Sequence, residues 1–133
     1  MEITPEEKIK LEKLAAKYEL ELLVLFGSAV TGKTHKESDA DVAYLSKKPL
    51  TLREESEMSV ALQPILKNRT IDLVNIRMAP PLLLYAITDH GKILYQSDPL
   101  VFYELRAYAF KRYIEAEPLF ELKKQRLKAL LNI

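Results

Sequence analysis

The chain has 133 residues, 48% of them apolar and 29% charged, with a formal charge of +1 and no cysteine. This length fits one compact domain, read here as residues 1–133. The near-zero charge argues against a general attraction to nucleic acid or anionic membrane. The missing cysteine excludes disulfides, cysteine nucleophiles and thiolate zinc sites. No stretch approaches the roughly 20 apolar residues of a membrane helix, and Met1 to Glu7 lacks the basic start and apolar block of a secretion signal. A cytoplasmic protein that neither enters a membrane nor binds nucleic acid directly is expected.

Thr4 is placed to cap a first helix, with Pro5 at its first position and Glu7 closing a capping box. Leu11, Leu14, Ala15 and Tyr18 share one face of it. The apolar run Leu22 to Phe26 stops at Gly27 and reads as a buried strand. Residues 28–38 are polar and small and read as a short helical turn plus loop. From Asp39 to Leu45 the sequence alternates, so Asp39 and Asp41 point the same way from a second strand. Thr51 and Glu54 form a second capping box, opening a helix with Met58, Leu62, Ile65 and Leu66 on one side, which Pro64 should kink or end near Gln63. Ile71 to Ile76 reads as a third strand, Pro80 or Pro81 to His90 as a helix closed by Gly91, and Lys92 to Tyr95 as a short fourth strand. Asp98 and Pro99 then open a long last helix with a stripe of Leu100, Val101, Leu105, Tyr108 and Ala109; Pro118 is expected to divide it. Helices and strands alternate, which predicts an α/β fold: a small mixed central sheet flanked by helices, with a long C-terminal helix.

Asp39 and Asp41 form a pair of like charges on one strand face, which is costly unless a cation lies between them. Mg²⁺ suits such a place because it prefers carboxylate oxygens, water and substrate phosphate to a full protein cage. Asp72 sits in an otherwise apolar strand, and would complete a three-carboxylate cluster if that strand lies beside the Asp39 strand. Asp39, Asp41 and Asp72 are thus the candidate catalytic and metal-binding residues. Two Mg²⁺ ions there would stabilise attacking and leaving oxygens, and Asp72 would also suit acceptance of a hydroxyl proton. Gly27 lets backbone approach a ligand closely, and Ser28 follows where free N–H groups would meet phosphate. Lys33 and Lys36 are candidates for further triphosphate contacts. Gly-Ser or Asp-x-Asp alone is common and mostly structural. The information lies in the combination: a strand, Gly27-Ser28, ten residues, Asp39-x-Asp41 on the next strand and an Asp on a third.

Other features have blander readings. His35 and His90 have no ligand partners at metal spacing. Phe102, Tyr103, Tyr108, Phe110, Tyr113 and Phe120 fit core or partner-helix surface better than base stacking. Lys111-Arg112 and Lys123-Lys124, with Arg126 and Lys128, read as solvated helix faces.

Gly27-Ser28 followed by Asp39-Ala40-Asp41 resembles the DNA polymerase β-like nucleotidyltransferase superfamily. The small size, and Gly91 to Tyr95 ahead of a long helix, are similar to its minimal nucleotidyltransferase (MNT) branch. That resemblance implies a polymerase β-like fold, Mg²⁺ on Asp39, Asp41 and Asp72, and a triphosphate on Gly27 and Ser28. Many relatives carry an arginine shortly after Gly-Ser; here Ala29 and Thr31 occupy that stretch, leaving Lys33 or Lys36 for the role. MNT proteins act as antitoxins beside a HEPN-domain ribonuclease toxin, using ATP to adenylylate a toxin tyrosine. The C-terminal segment 98–133 would then be a docking surface for the helical partner. Two alternatives are a nucleotidyltransferase acting on a small molecule such as an aminoglycoside, and an antitoxin acting mainly by binding.

Overall fold

The computed structural model describes residues 3–27, 39–67 and 70–132. Local signals set the helix starts. Thr4 Oγ1 accepts from Glu7 N at 3.1 Å while Thr4 N donates to Glu7 Oε1 at 3.0 Å, opening α1 (Pro5–Tyr18). The same reciprocal pair between Thr51 and Glu54 opens α2 (Leu52–Leu62), which ends one residue before Gln63 as Pro64 demands. Between them lie β1 (Leu20–Phe26) and β2 (Ala40–Ser46). Then follow β3 (Ile71–Asn75), a 3₁₀ turn (Ile76–Met78), α3 (Pro81–Asp89), β4 (Lys92–Gln96) and α4 (Val101–Leu131). The expected helical turn within 28–38 lies outside the described residues.

The sheet order is β3-β2-β1-β4. β1 pairs antiparallel with β2 and β4, and β2 pairs parallel with β3, so the sheet is mixed. A parallel neighbour needs a crossover, which α2 supplies. One sheet face is closed by α1 and α2 through Leu11, Leu14, Tyr18, Met58 and Leu62, joined by Leu66 from the turn after α2. The other is closed by α3 and α4 through Leu84, Ile87 and Ala109. Among the described residues, no helix is long and apolar enough to cross a membrane.

The last helix departs from expectation in three ways. It starts at Val101 rather than Pro99; the Asp98 carboxylate accepts from Leu100 N at 2.8 Å in the turn ahead of it. Its body-facing side is Val101, Phe102, Leu105 and Ala109, whereas Leu100 and Tyr108 are exposed. Pro118 lies inside one continuous 31-residue helix instead of dividing it. Proline removes one N–H, but the Ile114 carbonyl it leaves belongs to an exposed turn open to water. Strong helix formers such as Glu117, Leu119, Glu121 and Leu122 flank it.

Candidate active site

The alternation of β2 sends Ala40, Val42 and Tyr44 into the α1/α2 core and Ala43 into the α3/α4 core. Asp41 therefore shares the face of Ala43. On β3, Ile71 and Leu73 face the first core and Val74 the second, so Asp72 lies on the same face as Asp41. The parallel register puts these two residues directly side by side, Asp41 opposite Asp72. Across the antiparallel pair, Asp41 faces Phe26, the last residue of β1. The sheet thus brings Gly27, Asp41 and Asp72 to one edge, and Asp39 stands exposed just ahead of β2.

Gly27 has φ +76°, in the left-handed region. A Cβ added there would run into Asp41 Oδ2, so the turn needs glycine for both conformation and space. The backbone after β1 is thereby pressed against the carboxylate.

Asp41 is half-buried, and its pKa is raised above the ordinary 3.8. Burial is the largest cause, followed by the charges of Asp72 and Asp39 and a hydrogen bond with Asp72. Like charges crowded round a partly desolvated carboxyl make a place where a cation is favourable. Among the described residues, no three such groups close into a ready metal cage. The donors are nonetheless hard carboxylate oxygens, with Asp39 and Asp72 exposed, and that ligand type fits Mg²⁺.

Asp72 is exposed at the start of its strand, whereas Val74 on the same face packs against the second core. Ser28, Lys33 and Lys36, the other expected phosphate contacts, lie outside the described residues, as does His35. His90 caps the end of α3, exposed and 3.1 Å from the Asp89 carboxylate, away from any ligand set. A cavity of about 520 Å³ opens elsewhere, at the opposite end of β2, where Leu45, Ile76, Arg77, Pro81, Tyr108 and Arg112 meet. Arg77 is held there by donating to Ser46 O at 2.9 Å. No sequence signal marks this convergence, because its residues come from four separate segments.

The model of the "Polymerase beta, Nucleotidyltransferase" family matches residues 7–100, a span that contains the Gly27 turn and all three carboxylates. The chain belongs to this nucleotidyltransferase family. The protein adenylyltransferase MntA of Shewanella oneidensis is 31% identical to this nucleotidyltransferase over 101 residues, 74% of this chain and 70% of the relative. A toxin–antitoxin crystal structure with AMP-PNP superposes with TM-score 0.75 at 24% identity, covering 90% of this chain and 97% of the other. A complex of tri-AMPylated Shewanella oneidensis HEPN toxin with MNT antitoxin gives 0.55 at 21% identity, covering 96% and 94%. At these identities the two structures speak for the fold of the nucleotidyltransferase.

Proposed function

We propose that this nucleotidyltransferase is a Mg²⁺-dependent protein adenylyltransferase, the antitoxin of a HEPN–MNT pair, which moves AMP from ATP onto a tyrosine of its HEPN toxin. The observation that carries the chemistry is the side-by-side Asp41 and Asp72 against the Gly27 turn. The acceptor and donor come from the relatives: the curated one is a protein adenylyltransferase, and structural neighbours are toxin–antitoxin complexes, one with AMP-PNP and one with an AMPylated toxin. The reading places the protein in the cytoplasm, where ATP is available.

In this reading Asp39, Asp41 and Asp72 would hold two Mg²⁺ ions, which would supply charge neutralisation to the triphosphate and the leaving pyrophosphate. Gly27 and Ser28 bring backbone N–H groups to the phosphates, with Lys33 and Lys36 adding charge. The tyrosine oxygen attacks the α-phosphorus, the bond to pyrophosphate breaks, and the phenolic proton passes to Asp72. A small-molecule acceptor is the second reading of the sequence; the described residues form no helical domain beyond α4 to enclose one. A binding-only antitoxin would leave the carboxylate pair without a task.

The test is mass spectrometry of the HEPN toxin after incubation with the chain, ATP and Mg²⁺. AMP-sized additions are expected, lost with Asp39→Asn, with Asp41→Asn and on chelation. Modification that persists in those variants overturns the assignment.

A further inference from the structure

We infer that the distal half of α4, with the groove it forms against the start of α3, docks an amphipathic helix with acidic flanks from the partner protein. The inference rests on the proposed function only for the identity of that partner. The body-facing line of α4 runs through Phe102, Leu105 and Ala109. At helical spacing it continues through Ala116, Phe120, Leu127 and Leu130. Cover by the body thins beyond Tyr113, whose ring stacks on Tyr85 with centroids 4.3 Å apart. Past that point the same stripe is open: Leu119 is 62% exposed, Leu127 56% and Leu130 71%. A helix of this length spans about 46 Å, so its last 11 residues reach roughly 16 Å beyond Phe120.

The open stripe starts in a groove of about 410 Å³, with Pro81, Ala116, Leu119 and Phe120 as its floor and Arg112 and Lys123 on its rim. Through Pro81 and Arg112 it joins the 520 Å³ cavity that carries Arg77. Glu115 is the acidic side chain on this combined lining, and it lies 3.6 Å from Arg112. From Leu119 to Asn132 the helix carries four basic residues, Lys123, Lys124, Arg126 and Lys128, and one acid, Glu121, a net charge of 4 − 1 = +3. Charge decides the occupant. A second copy would lay two such basic faces together, whereas an acidic-flanked helix meets attraction along the whole stripe.

The 520 Å³ cavity that the groove joins lies at the opposite end of β2 from the carboxylates. Leu45 lines that cavity, and Asp41 is four residues earlier on the strand, about 13 Å away. Substitutions on the stripe therefore act on partner capture and not on the transfer step.

The experiment uses the full chain and its HEPN toxin. Three variants are compared with the parent: Leu127→Asp with Leu130→Asp; Lys123→Glu with Lys124→Glu, Arg126→Glu and Lys128→Glu; and Tyr103→Asp, on the opposite side of the helix as control. AMP transfer gives kcat and KM for the toxin, calorimetry gives direct binding, and circular dichroism checks folding. The first two variants should raise KM and Kd at least tenfold with kcat within twofold, and the control should match the parent. In the parent, KM should rise with ionic strength. Unchanged KM and Kd in both stripe variants overturn the inference, as does a chain that self-associates through this stripe. If the parent transfers no AMP yet binds the toxin through the stripe, the docking inference stands and the transfer reading fails.

Discussion

Replacing Gly27 with alanine tests the contact on which the site is built. The turn has φ +76°, and a Cβ there meets Asp41 Oδ2. Holding a Cβ-bearing residue in the left-handed region costs about 1–2 kcal/mol. In a domain of this size each kcal/mol is worth roughly 3–5 °C, so Tm should fall by about 3–10 °C. With about 5–15 kcal/mol of typical stability to draw on, the variant remains folded at 25 °C. The second effect is on position. Either the backbone retreats or the Asp41 carboxylate turns away from Asp72, and a displacement of about 1 Å lowers a transfer rate by roughly 100-fold. Thermal melting and kcat for AMP transfer are measured together, with Gly91→Ala as comparison. Its added Cβ would strike the Ile87 carbonyl and the Val24 side chain, inside the core. That variant should lose stability by overpacking, about 1–3 kcal/mol, with transfer at 25 °C within a few-fold of the parent. A Gly27→Ala protein with parental Tm and transfer within a few-fold would refute the reasoning, because Asp41 would then not depend on the bare glycine beside it.

Asp41→Asn should raise Tm at neutral pH while abolishing transfer. The folded protein binds the Asp41 proton more tightly than the unfolded chain does. The stability this gives is complete below the ordinary value of 3.8 and is lost as pH rises through the higher folded value. The gap in Tm between variant and parent should thus open with pH across that interval in metal-free buffer; a gap constant from pH 3 to 8 contradicts the assignment. Tyr44→Phe removes the donor that lies 2.7 Å from Glu55 Oε2, from a ring 1% exposed. A loss of about 1 kcal/mol in urea unfolding is expected, with AMP transfer unchanged; a neutral result would mean that water replaces the hydroxyl at no cost. Pro118→Ala restores an N–H to the interior of α4 and relieves up to about 3 kcal/mol of local strain. Amide exchange should slow across the turn from Ile114 to Pro118, and unchanged exchange there would show that the proline costs this helix nothing.

The parts of this fold that short-range physics controls were legible in the sequence. Two capping boxes, Pro64 and the buried run before Gly27 each act within a few residues, and the helices and strands begin or end where they dictate. Strand periodicity sets the face of Asp41, whereas Asp39, expected on the same strand, lies one residue ahead of β2. Asp72 needed more. It reaches Asp41 only because β2 and β3 are parallel neighbours in that register, which the intervening helix hinted at but did not fix. Its exposure was also not legible, since Val74 on the same face of β3 is packed against the second core while Asp72 is open. Pro118 misled because proline's penalty is a local cost, and a long run of helix formers outweighs it. The grouping of Arg77, Tyr108 and Arg112 had no sequence signal, because four segments must pack before the three meet.

The crossover through α2 has a further consequence. It joins the two carboxylate strands from behind, across the face that Met58 and Leu62 seal. Substitutions can therefore accumulate on the α1/α2 side, changing volume and melting point, with the reacting edge undisturbed so long as the register of β2 on β3 holds. A slip of one residue in that ladder would turn Asp72 to the back of the sheet and leave a folded protein without its second carboxylate. Lineages of this fold can thus drift widely in thermal tolerance while keeping one chemistry, and the shortest route to an inactive descendant is an insertion or deletion between α2 and β3.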